Sequence, residues 1–468
     1  MQRTSGVDAA FLYGETPNWH MHVSAVLIAD PSTSPEPWTT ERFIERTASR
    51  IHLAPQFRWR LVEVPFGLDR PYFVEDPDFD IHSHIRRIGL PAPGGPEQLG
   101  NLIGDLVSLK LDRRKPLWEF WIIDGLADGH VAILAKIHHA IIDGISGSEL
   151  ATVLMDLEAD PPPTPPEADR VVDAMPNQFE LFARGALEAF GTPYRAMRFG
   201  RGAIRQGLKF VGFQRRAAPP VAPFQAPRTS FNTELSKHRR FAYASVPLAD
   251  VRAVKDAFDV KVNDVVLAIC SGALRNYLDA NGELPEAPLV AQVPVSLRAE
   301  EDKADVGTKV GAMFASLATH LHDPVERLHA IHASTRDAKE MQQALAAEKI
   351  MGITEAAPPA LISLAARMYT AAGLDSRTPP IMNLIISNVP GPPFPIYCAG
   401  AKLESIYPMG PLIYGTGVNV TVFSYQDRID FGFMSCREAV RDVWQIAEGV
   451  DAAFRELADA ARSAPTTS

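Results

Sequence analysis

Cysteine is scarce in this chain. Its 468 residues include three, Cys270, Cys398 and Cys436, far apart and without the paired spacing of metal ligands. That excludes a disulfide framework and a cysteine-bound zinc site, and it implies a reducing, cytoplasmic setting. Long apolar runs are missing too: none approaches the ~20 residues that a spanning helix needs, so any membrane contact is expected to be peripheral. The opening Met1-Gln2-Arg3-Thr4-Ser5-Gly6 has no signal-peptide pattern. Positive charge is in deficit, with a net charge of -10 and a pI near 5.7, which argues against nucleic acid as the main partner. No Gly-x-Ser-x-Gly elbow occurs, so the usual hydrolase nucleophile is absent. What remains is 46% hydrophobic and 22% charged, ordinary for a globular protein, and too long for one small core.

The chemistry gathers in Val131-Ala132-Ile133-Leu134-Ala135-Lys136-Ile137-His138-His139-Ala140-Ile141-Ile142-Asp143-Gly144. Val131 to Ile137 is short, aliphatic and bounded by a turn signal, which predicts a buried strand. The histidines then stand at the strand's end, where a loop presents them to a cleft. A neutral imidazole there can take a proton from a hydroxyl, the work of a general base. Of the 13 histidines, only His139 has an aspartate four residues later. A satisfied core histidine beside a turn aspartate is the competing reading.

Other segments surround this stretch in order. Asp8-Ala9-Ala10-Phe11 opens a short amphipathic piece, and Met21 to Ile28 reads as a strand. His20 and His22 lack an acidic or cysteine partner at a metal spacing, which favours structural roles. Thr39 to Ile51 predicts a capped helix. Pro55 to Val62 alternates like a strand and sets Arg58 and Arg60 on one side. Phe79 to Arg87 reads as another strand, with its histidines on a solvated face. An amphipathic helix spans Pro96 to Leu109. Pro116-Leu117-Trp118 leads into a buried strand, and Asp124-Gly125 turns it into the Val131 strand. Ser146 to Leu157 has helical spacing. Asp160-Pro161-Pro162-Pro163-Thr164-Pro165-Pro166 then starts a connection that can neither continue a helix nor join a sheet. Asn177 to Phe213 carries Arg184, Arg195, Arg198, Arg201, Arg205 and Lys209 among apolar residues. Both an anionic membrane surface and a crossover helix packed on its own protein fit it.

Past Pro227, Leu248 to Phe258 is predicted helical. Asn263 caps a longer helix that ends at Gly282, and Asp264 adds negative charge at its positive end. Leu289 to Arg298 and Val310 to His320 are strands, Asp323 to Met351 and Pro358 to Met368 helices. Ile381 to Val389 and Val418 onward are strands, the latter pairing with Ile429 to Phe433 across Gln426-Asp427. Val440 to Ala461 is the last helix.

His138-His139-Ala140-Ile141-Ile142-Asp143-Gly144 resembles the HHxxxDG motif of the CoA-dependent acyltransferase superfamily, which includes chloramphenicol acetyltransferase and condensation domains. More closely, the chain resembles the bacterial wax ester synthase/acyl-CoA:diacylglycerol acyltransferase family. The resemblance runs through Asp8 to Phe11, Met21-His22-Val23, Phe79 to His84, Pro116-Leu117-Trp118 with Gly125-Leu126, Asn263-Asp264, Val293 to Arg298 and Ser387 to Pro392. Gly307 is followed by Thr308 where the family usually has Gly-Asn.

The resemblance implies an α/β fold of two chloramphenicol acetyltransferase-like domains, with mixed sheets flanked by helices and a channel between them. Residues 1–159 would form the first domain, 160–228 the Pro-rich and basic connection, and 229–468 the second. His139 would be the base and Asp143, with Gly144, would shape the loop. In the superfamily this aspartate commonly pairs with an arginine, so Arg58, Arg60 or Arg298 is its expected partner, unless all three are surface residues. Pro116, Leu117 and Trp118 are assigned to folding.

The expected chemistry is direct attack of an alcohol on an acyl-CoA thioester, without an acyl-enzyme. No metal or bound cofactor is expected, because a thioester is already reactive. His138, Asn263 or a backbone N–H are the candidate oxyanion donors, with His138 better suited to shaping the loop. The implied acceptors are diacylglycerol, giving triacylglycerol, or a long-chain alcohol, giving wax. Acyl transfer from a carrier protein to another lipid or sugar alcohol stays open. So does a non-catalytic role at a lipid droplet or membrane surface through 177–213. The expected location is cytoplasmic, with a peripheral site on the membrane or a lipid droplet as the variant.

Overall fold

A computed structural model describes residues 1–65, 68–142, 153, 155–167, 177, 179–183, 225–296, 310–346 and 378–463. β1 (Gln2–Arg3) and α1 (Gly6–Gly14) come first, then β2 (His22–Asp30), α2 (Thr40–Arg50), β3 (Trp59–Val62), β4 (Tyr72–Glu75) and β5 (Ile85–Gly89). Next are α3 (Pro96–Val107), β6 (Trp118–Asp124), β7 (Val131–His138) and the single turn α4 (His139–Ile142). Beyond the connection lie β8 (Arg239–Pro247), α5 (Leu248–Ala257), α6 (Val262–Ala280), β9 (Val290–Ser296), β10 (Val310–Ser316) and α7 (Pro324–Ala346). The chain continues through β11 (Leu384–Pro390), β12 (Tyr397–Cys398), β13 (Ala401–Met409), β14 (Val418–Tyr425), β15 (Arg428–Cys436) and α8 (Val443–Ser463).

Local rules account for most of these elements. Ser5 and Asp8 cap α1 reciprocally, and Thr39 accepts from the Arg42 N–H to start α2. Every residue of β7 is buried, as an unbroken aliphatic run requires. Gly125, at φ 89°, makes the turn out of β6 that a side chain would strain.

Among the described residues the strands form two six-stranded sheets and a small three-stranded one, β1-β4-β3. The first large sheet runs β12-β13-β2-β7-β6-β5 and the second β10-β9-β11-β14-β15-β8. Both are mixed: β5–β6, β9–β11 and β11–β14 are parallel pairs and their neighbours antiparallel. The expected architecture of mixed sheets flanked by helices holds. One feature has no precursor in the sequence pattern: β12 and β13, from late in the chain, complete the first sheet against β2.

The second sheet meets the first through this borrowed strand. A Cβ at Gly432 of β15 would lie 1.9 Å from the Pro408 carbonyl of β13, so only glycine allows the two backbones this close. Asp430, fully buried one turn of the pleat away, accepts from the Ile406 N–H of β13 at 2.9 Å and from the Ser245 hydroxyl at 2.6 Å. On the other flank α3 lies on β8, where a Cβ at Gly104 would approach the Arg239 carbonyl to 2.8 Å.

Several expectations are corrected. Pro55–Arg58 is a 3-10 turn, and the strand begins only at Trp59. His84 is buried beneath Trp118 rather than solvated; the exposed partner is His82. The helix expected to reach Leu157 has ended by then, because Asp156 bridges to Tyr397 and leaves Leu157 exposed. Asn263 is not the cap of its helix. Lys261 takes that position, and the Asp264 carboxylate accepts its backbone N–H. The helix expected over Asn177 to Phe213 falls almost wholly outside the described residues, and the one over Pro358 to Met368 entirely.

Candidate active site

β7 delivers the site, and its alternation decides where each side chain goes. Ile133, Ala135 and Ile137 enter the core beneath α2, while Ala132 and Leu134 enter the larger core shared with the second sheet. Lys136 and His138 continue that second row. Lys136, fully buried, donates to the Leu106 carbonyl at 3.1 Å, to the Leu109 carbonyl, and to Glu119 at 2.8 Å. His22, paired in register with His138, reaches the Val107 carbonyl at 3.0 Å. Lys136 and the neutral His22 ring thus satisfy the carbonyl end of α3, where the helix dipole favours the lysine charge. Burial lowers the Lys136 pKa despite the pull of Glu119.

His138 is 2% exposed. The Ala140 N–H donates to its Nδ1 at 3.1 Å, so the ring proton belongs on Nε2. Nε2 lies 3.5 Å from Glu15 Oε1. Burial lowers the His138 pKa, against the opposing effect of Glu15, and favours the neutral ring. Nδ1 is thus taken by the backbone and Nε2 faces Glu15 without closing a hydrogen bond, which fits shaping the loop better than donating to an oxyanion.

Glu15 is the residue that sequence reasoning missed. It caps the end of α1 and its side chain is 5% exposed. Oε1 accepts from the Met21 N–H at 2.9 Å, and Oε2 faces Arg113 at 3.0 Å and Lys110 at 3.5 Å. Burial alone would raise its pKa. The approach of His138, the Met21 N–H and the charge of Lys110 outweigh that and hold it well below the usual carboxylate range. An acidic residue after a short apolar helix is commonplace, and no signal in the sequence distinguishes this one.

His139 begins α4 and is half-buried. Its N–H donates to the Met21 carbonyl at 2.8 Å, and its ring packs on Phe11 of α1 at 4.6 Å between centroids. Asp143 and Gly144, the rest of the motif, lie outside the described residues, as does Arg298. Of the other expected partners of Asp143, Arg58 pairs with Glu167 at 2.7 Å and Arg60 faces Asp76 at 3.5 Å.

Pro116-Leu117-Trp118 supports this strand from its other side. The His138 N–H donates to the Leu117 carbonyl at 2.9 Å. Trp118 donates to the Phe57 carbonyl at 2.7 Å and stacks on His84 at 4.4 Å. The folding role assigned to these residues fits their burial. Asn263 and Asp264 lie elsewhere. Asn263 accepts from Asn388 at 3.2 Å, while buried Asp264 ties α6 to α7 through His332 at 2.6 Å and Thr335 at 2.8 Å.

On the face of β2 that carries His22, a cleft of about 250 Å³, including its open side, lies between the two sheets, and neither His138 nor His139 lines it. His20, His22, Ser24, Arg239, Met409 and Met434 are among its lining. His20 donates to the Pro17 carbonyl at 2.9 Å, and burial lowers its pKa to about 4. Among the described residues no cluster of three His, Cys, Asp or Glu side chains is placed to hold a metal. No described helix is long and apolar enough to cross a membrane.

Comparison with known proteins bears on this geometry. Residues 4–266 match the model of the wax ester synthase/diacylglycerol acyltransferase catalytic domain, and residues 306–458 match that of its C-terminal domain. A protein of Mycobacterium tuberculosis (strain CDC 1551 / Oshkosh), provisionally named a diacylglycerol O-acyltransferase, is 36% identical over 99% of this chain and 92% of its own. The solved wax ester synthase/diacylglycerol acyltransferase from Marinobacter aquaeolei VT8 is 29% identical and superposes with a TM-score of 0.72, covering 99% of this chain and 100% of that one. The starter condensation domain of rhizomide synthetase, 12% identical with a TM-score of 0.51 over 99% of this chain and 95% of that one, shares the fold.

Proposed function

Because this chain belongs to the wax ester synthase/diacylglycerol acyltransferase family, we propose that His139 is the general base of its acyl transfer. The enzyme transfers an acyl group to diacylglycerol or an alcohol. In the proposed step the acceptor hydroxyl gives its proton to His139 as its oxygen bonds to the thioester carbonyl carbon. The C–S bond then breaks, and the departing thiolate of CoA takes the proton back. A thioester needs no metal or bound cofactor for this, and the sequence carries no Gly-x-Ser-x-Gly elbow for an acyl-enzyme. The observation that carries the reading is the division of labour in the histidine pair. His138 is buried, with Nδ1 taken by the Ala140 N–H and Nε2 turned toward Glu15 at 3.5 Å, while His139 stands half-buried at the strand's end.

Purified protein given labelled palmitoyl-CoA is expected to acylate diolein, hexadecanol or both, releasing one CoA per ester. Transfer only from a carrier-bound acyl group, or none at all, would overturn the acyl-CoA reading.

Part of the proposal is peripheral attachment to a membrane or lipid droplet. The substrates are lipids, and the segment 177–213 carries Arg184, Arg195, Arg198, Arg201, Arg205 and Lys209 among apolar residues. Arg-to-Glu changes there are expected to abolish binding to anionic liposomes; unchanged sedimentation with the vesicles would end this part.

A further inference from the structure

We infer that Glu15 is a positioning residue for the acyl transfer: its carboxylate fixes the His138–His139 turn by holding both the ring of the first histidine and the peptide that anchors the second. The inference rests on His139 being the base proposed above.

Two connections run from the one carboxylate. Oε1 accepts from the Met21 N–H at 2.9 Å, and the carbonyl of Met21 accepts the His139 N–H at 2.8 Å. The same Oε1 lies 3.5 Å from His138 Nε2. Because Ala140 occupies Nδ1, the ring needs an acceptor at Nε2, and the Glu15 carboxylate faces it at 3.5 Å, an ion-pair approach rather than a formed hydrogen bond. α1 supplies a third contact, since Phe11, one helical turn before Glu15, packs on the His139 ring. Ring, backbone and packing of the pair are thus referred to one short helix.

A carboxylate with 5% of its side chain exposed is costly to desolvate, and Arg113 and Lys110 offset that on its outer side. Both cations could pair with a carboxylate on the surface. What burial adds is the inward edge against His138 and Met21. Without that edge the His138 ring loses its acceptor and Met21 one of its two restraints. The imidazole of His139 is then free to shift against the acceptor hydroxyl, and misplacement of about 1 Å is enough to cost roughly a hundredfold in rate.

The experiment uses the full chain as wild type, Glu15→Gln, Glu15→Ala and His139→Ala, with palmitoyl-CoA and the better of diolein and hexadecanol. Glu15→Gln keeps the size and one acceptor oxygen and loses the charge, so it remains informative if the alanine variant does not fold. The expected kcat losses are about 10-fold for Glu15→Gln and about 100-fold for Glu15→Ala, with KM for palmitoyl-CoA within about twofold. In 15N-histidine spectra, the His138 signal, assigned by its absence in His138→Asn, should report the Nε2–H tautomer in wild type and a shifted Nε2 resonance of the same tautomer in Glu15→Gln. A folded Glu15→Gln enzyme with wild-type kcat and an unmoved His138 signal overturns the inference, as does a change confined to KM. An active His139→Ala enzyme instead defeats the assignment of the base, so the two failures are distinguishable.

Discussion

Replacing His139 with alanine is expected to lower ester formation by roughly 10³-fold, within the range that a positioned general base contributes. Removing the base leaves the acceptor hydroxyl to attack with its proton in place, while the thioester and the binding surfaces are untouched. The fold should survive. His139 is half-buried, its backbone N–H still reaches the Met21 carbonyl in the variant, and the ring packs on Phe11. Losing such a contact costs about 1 kcal/mol. Labelled ester resolved by thin-layer chromatography measures the rate, and a thermal melt measures the fold. A folded variant turning over as fast as wild type would remove His139 from the chemistry.

Acid should destabilise the protein far more than a single substitution does. His20, His22, His84 and His138 are buried, and burial lowers the pKa of each. The folded state therefore resists the protons that the unfolded chain accepts. Above pH 6.5 both states leave these rings neutral, and no stability is at stake. As pH falls through 6.5 the unfolded chain binds protons first, so stability is lost until the folded pKa is reached. For His20, lowered from 6.5 to about 4, the loss between pH 7.5 and 5 is about 2 kcal/mol. The other three rings act in the same direction. Urea midpoints should drop steeply over this interval, and less steeply in His20→Gln. A midpoint that is level or higher at pH 5 would contradict the account.

How much was legible beforehand varies with the range of the interaction. The β7 strand, the Asp124-Gly125 turn, the cap at Thr39 and the hairpin across Gln426-Asp427 were all readable, because each rests on residues within a few positions of one another. His84 was misjudged because its alternation suggests a solvated face, and only Trp118, 34 residues on, covers it. Asparagine suits a cap, which makes Asn263 the local choice for that position. Its side chain instead meets Asn388, 125 residues away, and Lys261 starts the helix.

The amino-acid sequence by itself determined the family, the histidine pair and the strand that presents it, since an aliphatic run ending in paired histidines needs no distant partner to be recognised. Tertiary structure alone decided what surrounds that pair: Glu15 beneath it, β13 completing a sheet from the far end of the chain, and Gly432 letting two backbones touch. The physical reason is that short-range patterns record local hydrogen bonding and hydrophobic periodicity. A buried carboxylate or a close backbone approach instead draws its energy from groups that only folding brings within reach.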